Sequence, residues 1–147
     1  MTLDIEALRE LRKRIEDGET GWRIRVDLAY ALGWKCPGAA HRPSAVDVEY
    51  RVLGWFSADG SESYDTIHDA WNLWDTSLEA ALILLARLLP GWTWAVGNDV
   101  YTGKKRIMGC VSKTGDDPDF TGEHPERPGA ALVSAMIEAL IAKEAGQ

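Results

Sequence analysis

Apolar residues recur at helical spacing from the start of the chain. In "LDIEALRELRKRIED", Ile5, Leu8, Leu11 and Ile15 fall on one stripe with charges elsewhere, which predicts an amphipathic helix ended by Gly18. Glu10 precedes Arg14 by four residues, the order in which an ion pair supports a helix. "GWRIRVDLAYALGW" predicts a second helix with Ile24, Leu28, Ala31 and Leu32 inward and Gly33 as its stop. Its β-branched residues also allow a strand.

The period then changes. After the loop "KCPGAAHRPS", the run "VDVEYRVLGWF" sets Val46, Val48, Tyr50 and Val52 against Asp47, Glu49 and Arg51, which predicts a strand closed by the turn "SADGS". "SESYDTIHDAWNLWD" shows no period and reads as loop with a short helical turn. "TSLEAALILLARL" returns to helical spacing, with Thr76 and Glu79 as a capping box and Leu78, Ala81, Leu82, Leu85, Leu88 and Leu89 as its apolar face. Pro90 and Gly91 stop it. "WTWAV", the turn "GNDVYTGKK" and "RIMGCVS" predict a hairpin. "KTGDDPDFTGEHPER" reads as a polar loop, and Pro128 opens a last helix, "PGAALVSAMIEALIAKEAG".

Parity within "WTWAV" places Trp92, Trp94 and Val96 on one face and Thr93, Ala95 and Gly97 on the other. Both tryptophans are expected in the core under one helical layer, with the small face admitting a second layer closely. The last helix has two apolar rows, Leu132, Met136, Leu140 and Val133, Ile137, Ile141, beside five alanines. One sheet face should not cover all of that, so a leftover strip predicts a homo-oligomer. No repeat or internal boundary interrupts the 147 residues, which are expected to form a single α+β domain.

The order of these elements, with "DTSLEAALILLARLLPGWTWAVG" and "PGAALVSAMIEAL", resembles the phage ABA sandwich domain family; "VDLAYALGW" resembles its early helix. The similarity covers most of the chain. The insert "HDAWNLWD" lies outside the family pattern. The resemblance implies a small antiparallel sheet with helices on both faces, encoded by tailed phages or prophages. It implies no activity, because the family is defined by fold.

Charge narrows the partners. A formal net charge of −7 argues against general nucleic-acid binding, which needs a basic face. No apolar run is long enough to span a bilayer, and the opening residues lack the apolar core of a signal peptide, so a cytoplasmic location without membrane association is expected. Cys36 and Cys110 show no metal-ligand spacing and read as reduced thiols.

Candidate ligand contacts come from two stretches. Seven tryptophans exceed the roughly two of average composition, and Trp71 and Trp74, beside His68, Asp69 and Asp75, offer an aromatic surface for a base or a protein. Lys104, Lys105 and Arg106 at the hairpin tip would welcome phosphate, with Arg23 and Arg25 as a weaker pair. The bland alternatives are core tryptophans and a solvated turn. Asp116, Asp117, Asp119, Glu123 and His124 gather oxygens and an imidazole but lack an EF-hand spacing, so no metal site is assigned. His41, His68 and His124 are scattered, and no phosphate loop, nucleophile elbow or zinc-hydrolase motif occurs. No catalytic residue and no cofactor is expected.

These features lead to the expectation of a non-catalytic phage accessory protein in the cytoplasm of a bacterial host. It would antagonise host defence by sequestering a nucleotide-like immune signal, as a sponge, or by binding a host defence protein. A small nucleotide hydrolase and a virion structural or assembly component are the alternatives.

Overall fold

The structure is a computed structural model and describes residues 3–34, 73–98, 105–113 and 119–146. These form four helices and a three-stranded antiparallel sheet, an α+β arrangement with helices packed on the sheet. The expected strand Val46–Phe56 and the loops around it lie outside the described residues.

Helix α1 spans Ile5–Glu16, and Asp4 starts it by accepting the Ala7 N–H at 3.1 Å. Leu8, Leu11 and Ile15 are buried as the stripe requires, and Gly18 ends the helix at φ +102°, where other residues are strained. Arg14 does not use Glu10. It turns to Glu19 and to Asp27 on α2, Trp22–Ala31, its Nη1 donating to Asp27 at 2.8 Å. The helical reading of this second segment holds, with Ile24, Val26, Leu28, Ala29 and Leu32 in the core and Gly33 past its end at φ +91°.

Helix α3, Leu78–Leu88, begins one residue later than the capping box places it. Ser77, not Thr76, accepts the Ala80 N–H, at 3.2 Å, while the Thr76 hydroxyl faces the Leu73 carbonyl. Gly91, at φ +83°, makes the turn into β1, Thr93–Asn98. β1 pairs antiparallel with β2, Ile107–Ser112, as the hairpin requires. The stretch read as a polar loop holds a third strand, β3, Phe120–His124, paired to β2. Its inward positions are Phe120, Gly122 and His124, so only one of three is apolar, and the alternation of a strand is hidden.

Helix α4, Pro128–Glu144, is the centre of the packing. It crosses the sheet on the face carrying Gly109, Val111 and Gly122, and α1 and α3 lie against its sides. Gly109 and Gly122 are direct cross-strand partners. A Cβ on Gly109 would stand 2.7 Å from the Ala131 carbonyl, and one on Gly122 would stand 2.5 Å from Ser134 Cβ. The two glycines therefore seat the helix backbone directly on the strands. The close approach falls on the Trp94 face rather than on the Ala95 and Gly97 face expected for it. Of the two helical layers expected, the described residues supply the one on this face.

The leftover apolar strip on the last helix is a second correction. Ala130, Ala131, Leu132, Val133, Ala135, Met136, Ile137, Ala139 and Leu140 are all buried within one chain. A helix apolar on every side is a central helix, and three neighbours cover it here. Of the six residues in the two expected rows, Ile141 alone is only partly buried.

Candidate functional site

Of the six expected ligand contacts, Trp74, Lys105 and Arg106 fall among the described residues. His68, Trp71 and Lys104 lie outside the described residues, as do His41, Cys36, Asp116 and Asp117. Trp74 is 0% exposed, which corrects the expectation of an aromatic surface at that position. Its backbone abuts the first turn of α4: a Cβ on Gly129 would stand 2.6 Å from the Trp74 carbonyl oxygen. Next to it, Asp75 is fully buried, accepting the Gly21 N–H at 2.7 Å and facing Arg25 Nε at 2.6 Å. Asp75 thus binds the start of α2 to the segment entering α3, and Trp74 sets that segment against α4. They are an internal joint, and Arg25 serves it rather than an anion.

Arg106 is also committed. Its Nε lies 2.9 Å from Glu123 Oε1, and its Nη2 donates to the Glu16 carbonyl at the end of α1. Phosphate would have to displace both, so the open basic tip expected at Lys105 and Arg106 reduces to an exposed Lys105 among the described residues. Glu123 and His124 are successive strand residues and point to opposite faces. Glu123 meets Arg106, and His124 turns inside. Asp119 lies against Cys110, whose thiol is pushed above its ordinary range by burial first and by the Asp119 charge second. No cluster of three or more His, Cys, Asp or Glu residues suited to a metal occurs among the described residues. No described helix is long and apolar enough to cross a membrane.

Among the described residues, an exposed tryptophan stands elsewhere. Register places Trp94 opposite Val111 on the α4 face, as parity requires, yet Trp94 is 44% exposed. β1 is the outer strand, and α4 runs chiefly over β2 and β3, so the helix leaves Trp94 in reach of solvent. Trp92 does pack inward, its ring 6.1 Å from Phe120 and tilted 38° to it. The expectation that both tryptophans are core therefore fails for Trp94, while Trp92 is partly buried and packs against the core. Around Trp94, residues Thr93, Ala95, Gly97 and Asn98 are exposed, and β1 carries no charge. Among the described residues, β1 pairs on one side only.

The other outer strand is treated differently. α1 lies along β3, and Arg12 Nη2 donates to the Thr121 carbonyl at 2.9 Å while facing Glu16 and Glu138. Sequence reasoning missed Arg12, because nothing in a charged helical face distinguishes the arginine that reaches a strand from those that reach water. It missed the exposure of Trp94 because alternation assigns a face and is silent on distance from the sheet edge. Comparison with protein-family models, with curated proteins and with solved structures returns no match.

Proposed function

We propose that the chain is a non-catalytic binding protein that takes up an extended segment of another protein along the side of β1 that no described strand pairs, with Trp94 as its anchor. The observation that carries this is the 44% exposure of Trp94 on an uncharged outer strand. A strand edge offers unpaired N–H and C=O groups, and an added strand satisfies them while side-chain contacts give selectivity. Tryptophan is the residue type that most often dominates such interfaces. The chain carries a net charge of −7 while β1 carries none, so the partner that fits is an extended apolar segment with basic flanks.

The resemblance to the phage ABA sandwich family supports a setting for this binding. In that setting the protein is a phage accessory factor in the cytoplasm of an infected bacterium, and the partner is a host defence protein that it blocks. A nucleotide sponge is less well supported, because Trp74 is core and Arg106 is engaged.

Selection of peptides from a random library on the intact protein, followed by amide chemical-shift mapping, tests the reading. Binders should be extended, apolar with basic flanks, and should perturb Thr93–Asn98. Trp94→Ala should cost about 30-fold in affinity, the scale of an interface hot spot, and Ala95→Lys should block pairing with the fold intact. Binders that map to another face, or that hold Trp94→Ala equally well, would sink the proposal. A dimer in sedimentation that Trp94→Ala dissolves would show instead that a second copy occupies the strand.

A further inference from the structure

His124, the last residue of β3, is 2% exposed. Its Nδ1 accepts two backbone N–H groups, from Glu126 at 3.0 Å and from Arg127 at 2.9 Å. Arg127 is the residue that precedes α4, and its own side chain makes no cap. Both amides lie ahead of Pro128, so the imidazole closes the turn that leads into α4 rather than capping the N–H groups of its first turn. A ring nitrogen that accepts has a lone pair there, so the neutral ring keeps its proton on Nε2. Nε2 is buried without a hydrogen-bond partner of good geometry, although the Gly18 backbone also lies within reach of the ring.

A proton on Nδ1 would turn both bonds into clashes of donors. It would also set a positive charge at the positive end of a 17-residue helix. The charged groups facing the ring come from two places. Arg106, ahead of β2, and Arg127, in its own turn, oppose protonation; Glu126, also in the turn, favours it; α4 has no acidic residue in its first turn to offset the charge. From the end of α1 comes the Gly18 backbone, which favours the charged ring. Burial is the largest influence and holds the imidazole below its ordinary range.

We propose that His124 is an acid-released latch on the start of α4: protonated at Nδ1, it lets go of the Glu126 and Arg127 amides and opens the turn joining β3 to α4, while the body of α4 stays packed. The opened turn adjoins Gly129, which backs onto the carbonyls of Trp74 and Ser77, so acid loosens the joint between α4 and the segment entering α3. The latch is independent of what β1 binds.

The direction of the effect follows from linkage. The closed latch has the lower pKa, so the open turn takes up the extra proton. Closure is complete above the ordinary imidazole pKa of about 6.5, weakens as pH falls through it, and levels off below the depressed value of the closed form. Amide hydrogen exchange of the intact protein between pH 7.5 and 5, corrected for intrinsic rates, measures this. Protection of the Glu126 and Arg127 amides should fall by up to about tenfold per pH unit in that interval, while Met136 and Ile137 stay protected. His124→Asn places an amide oxygen near the position of Nδ1 and should flatten the dependence. Nitrogen-15 shifts of the wild-type ring at pH 7.5 should show the proton on Nε2. Flat protection of the two amides, equal loss along all of α4, or a proton on Nδ1 at pH 7.5 would each overturn the latch, whether or not the asparagine variant folds.

Discussion

The two outer strands of the sheet differ in almost every respect. β3 has a helix beside it, an arginine on one of its carbonyls, and a glycine that brings α4 into backbone contact. β1 has an exposed tryptophan, a glycine with no atom of the described residues within 4 Å of where its Cβ would be, and no charge. Proteins usually blunt a free strand with charge, proline or cover. One side of this sheet is blunted, and among the described residues the other is not. The difference separates residues that make the fold from residues that remain free to do something else.

Paired substitutions test that separation. The largest contrast is between tryptophans. Trp74→Ala should cost about 3–5 kcal/mol, as for a large aromatic removed from a packed core, whereas Trp94→Ala should cost about 1 kcal/mol, nearer the mean for point substitutions. Urea unfolding with matched slopes reads both. If the two costs came out equal, the division between fold and free surface would be wrong.

Glycines give the next contrast. Gly122→Ala forces a methyl group into the backbone of α4 and should destabilise by about 1–3 kcal/mol, the scale of overpacking. Gly97→Ala meets open space and should stay within about 0.5 kcal/mol. Thermal unfolding of the two variants side by side would show whether α4 presses on the whole sheet or only on β2 and β3.

The smallest effect belongs to the covered strand. Arg12 is partly exposed, so its ion pairs with Glu16 and Glu138 are screened, and Arg12→Met should cost about 1 kcal/mol or less. The loss should be concentrated in β3, seen as faster amide exchange there than in β2. Uniform change across the sheet would mean that Arg12 does not specifically guard the strand.

Much of the fold was legible because burial writes itself as period. Leu8, Leu11 and Ile15 announce α1, and Pro90 and Gly91 punctuate helix and strand. β3 was illegible because its inward positions hold a glycine chosen for close approach and a histidine chosen for a hydrogen bond. Neither is apolar. The last helix was legible as a helix and misread as a surface, since apolarity on all sides can mean a partner chain or a central position. The candidate site was hardest to see. Trp74 and Trp94 look equally apolar in sequence, and only the position of each in the packed layers decides which one faces solvent.

The central place of α4 also sets an order of events during synthesis. The Ser134 hydroxyl that reaches Glu16 does so across 118 residues of chain, and the apolar stripe of α1 packs on the same helix. At ribosomal rates the stripe waits on the order of ten seconds for its cover. Until residues 128–144 have left the exit tunnel, α1, α3 and the two glycines of the sheet lack the helix on which they close. A nascent chain of this protein is therefore a client for chaperones until that helix emerges, and a chain cut before Pro128 should regain its structure only when the missing helix is returned to it as a separate peptide.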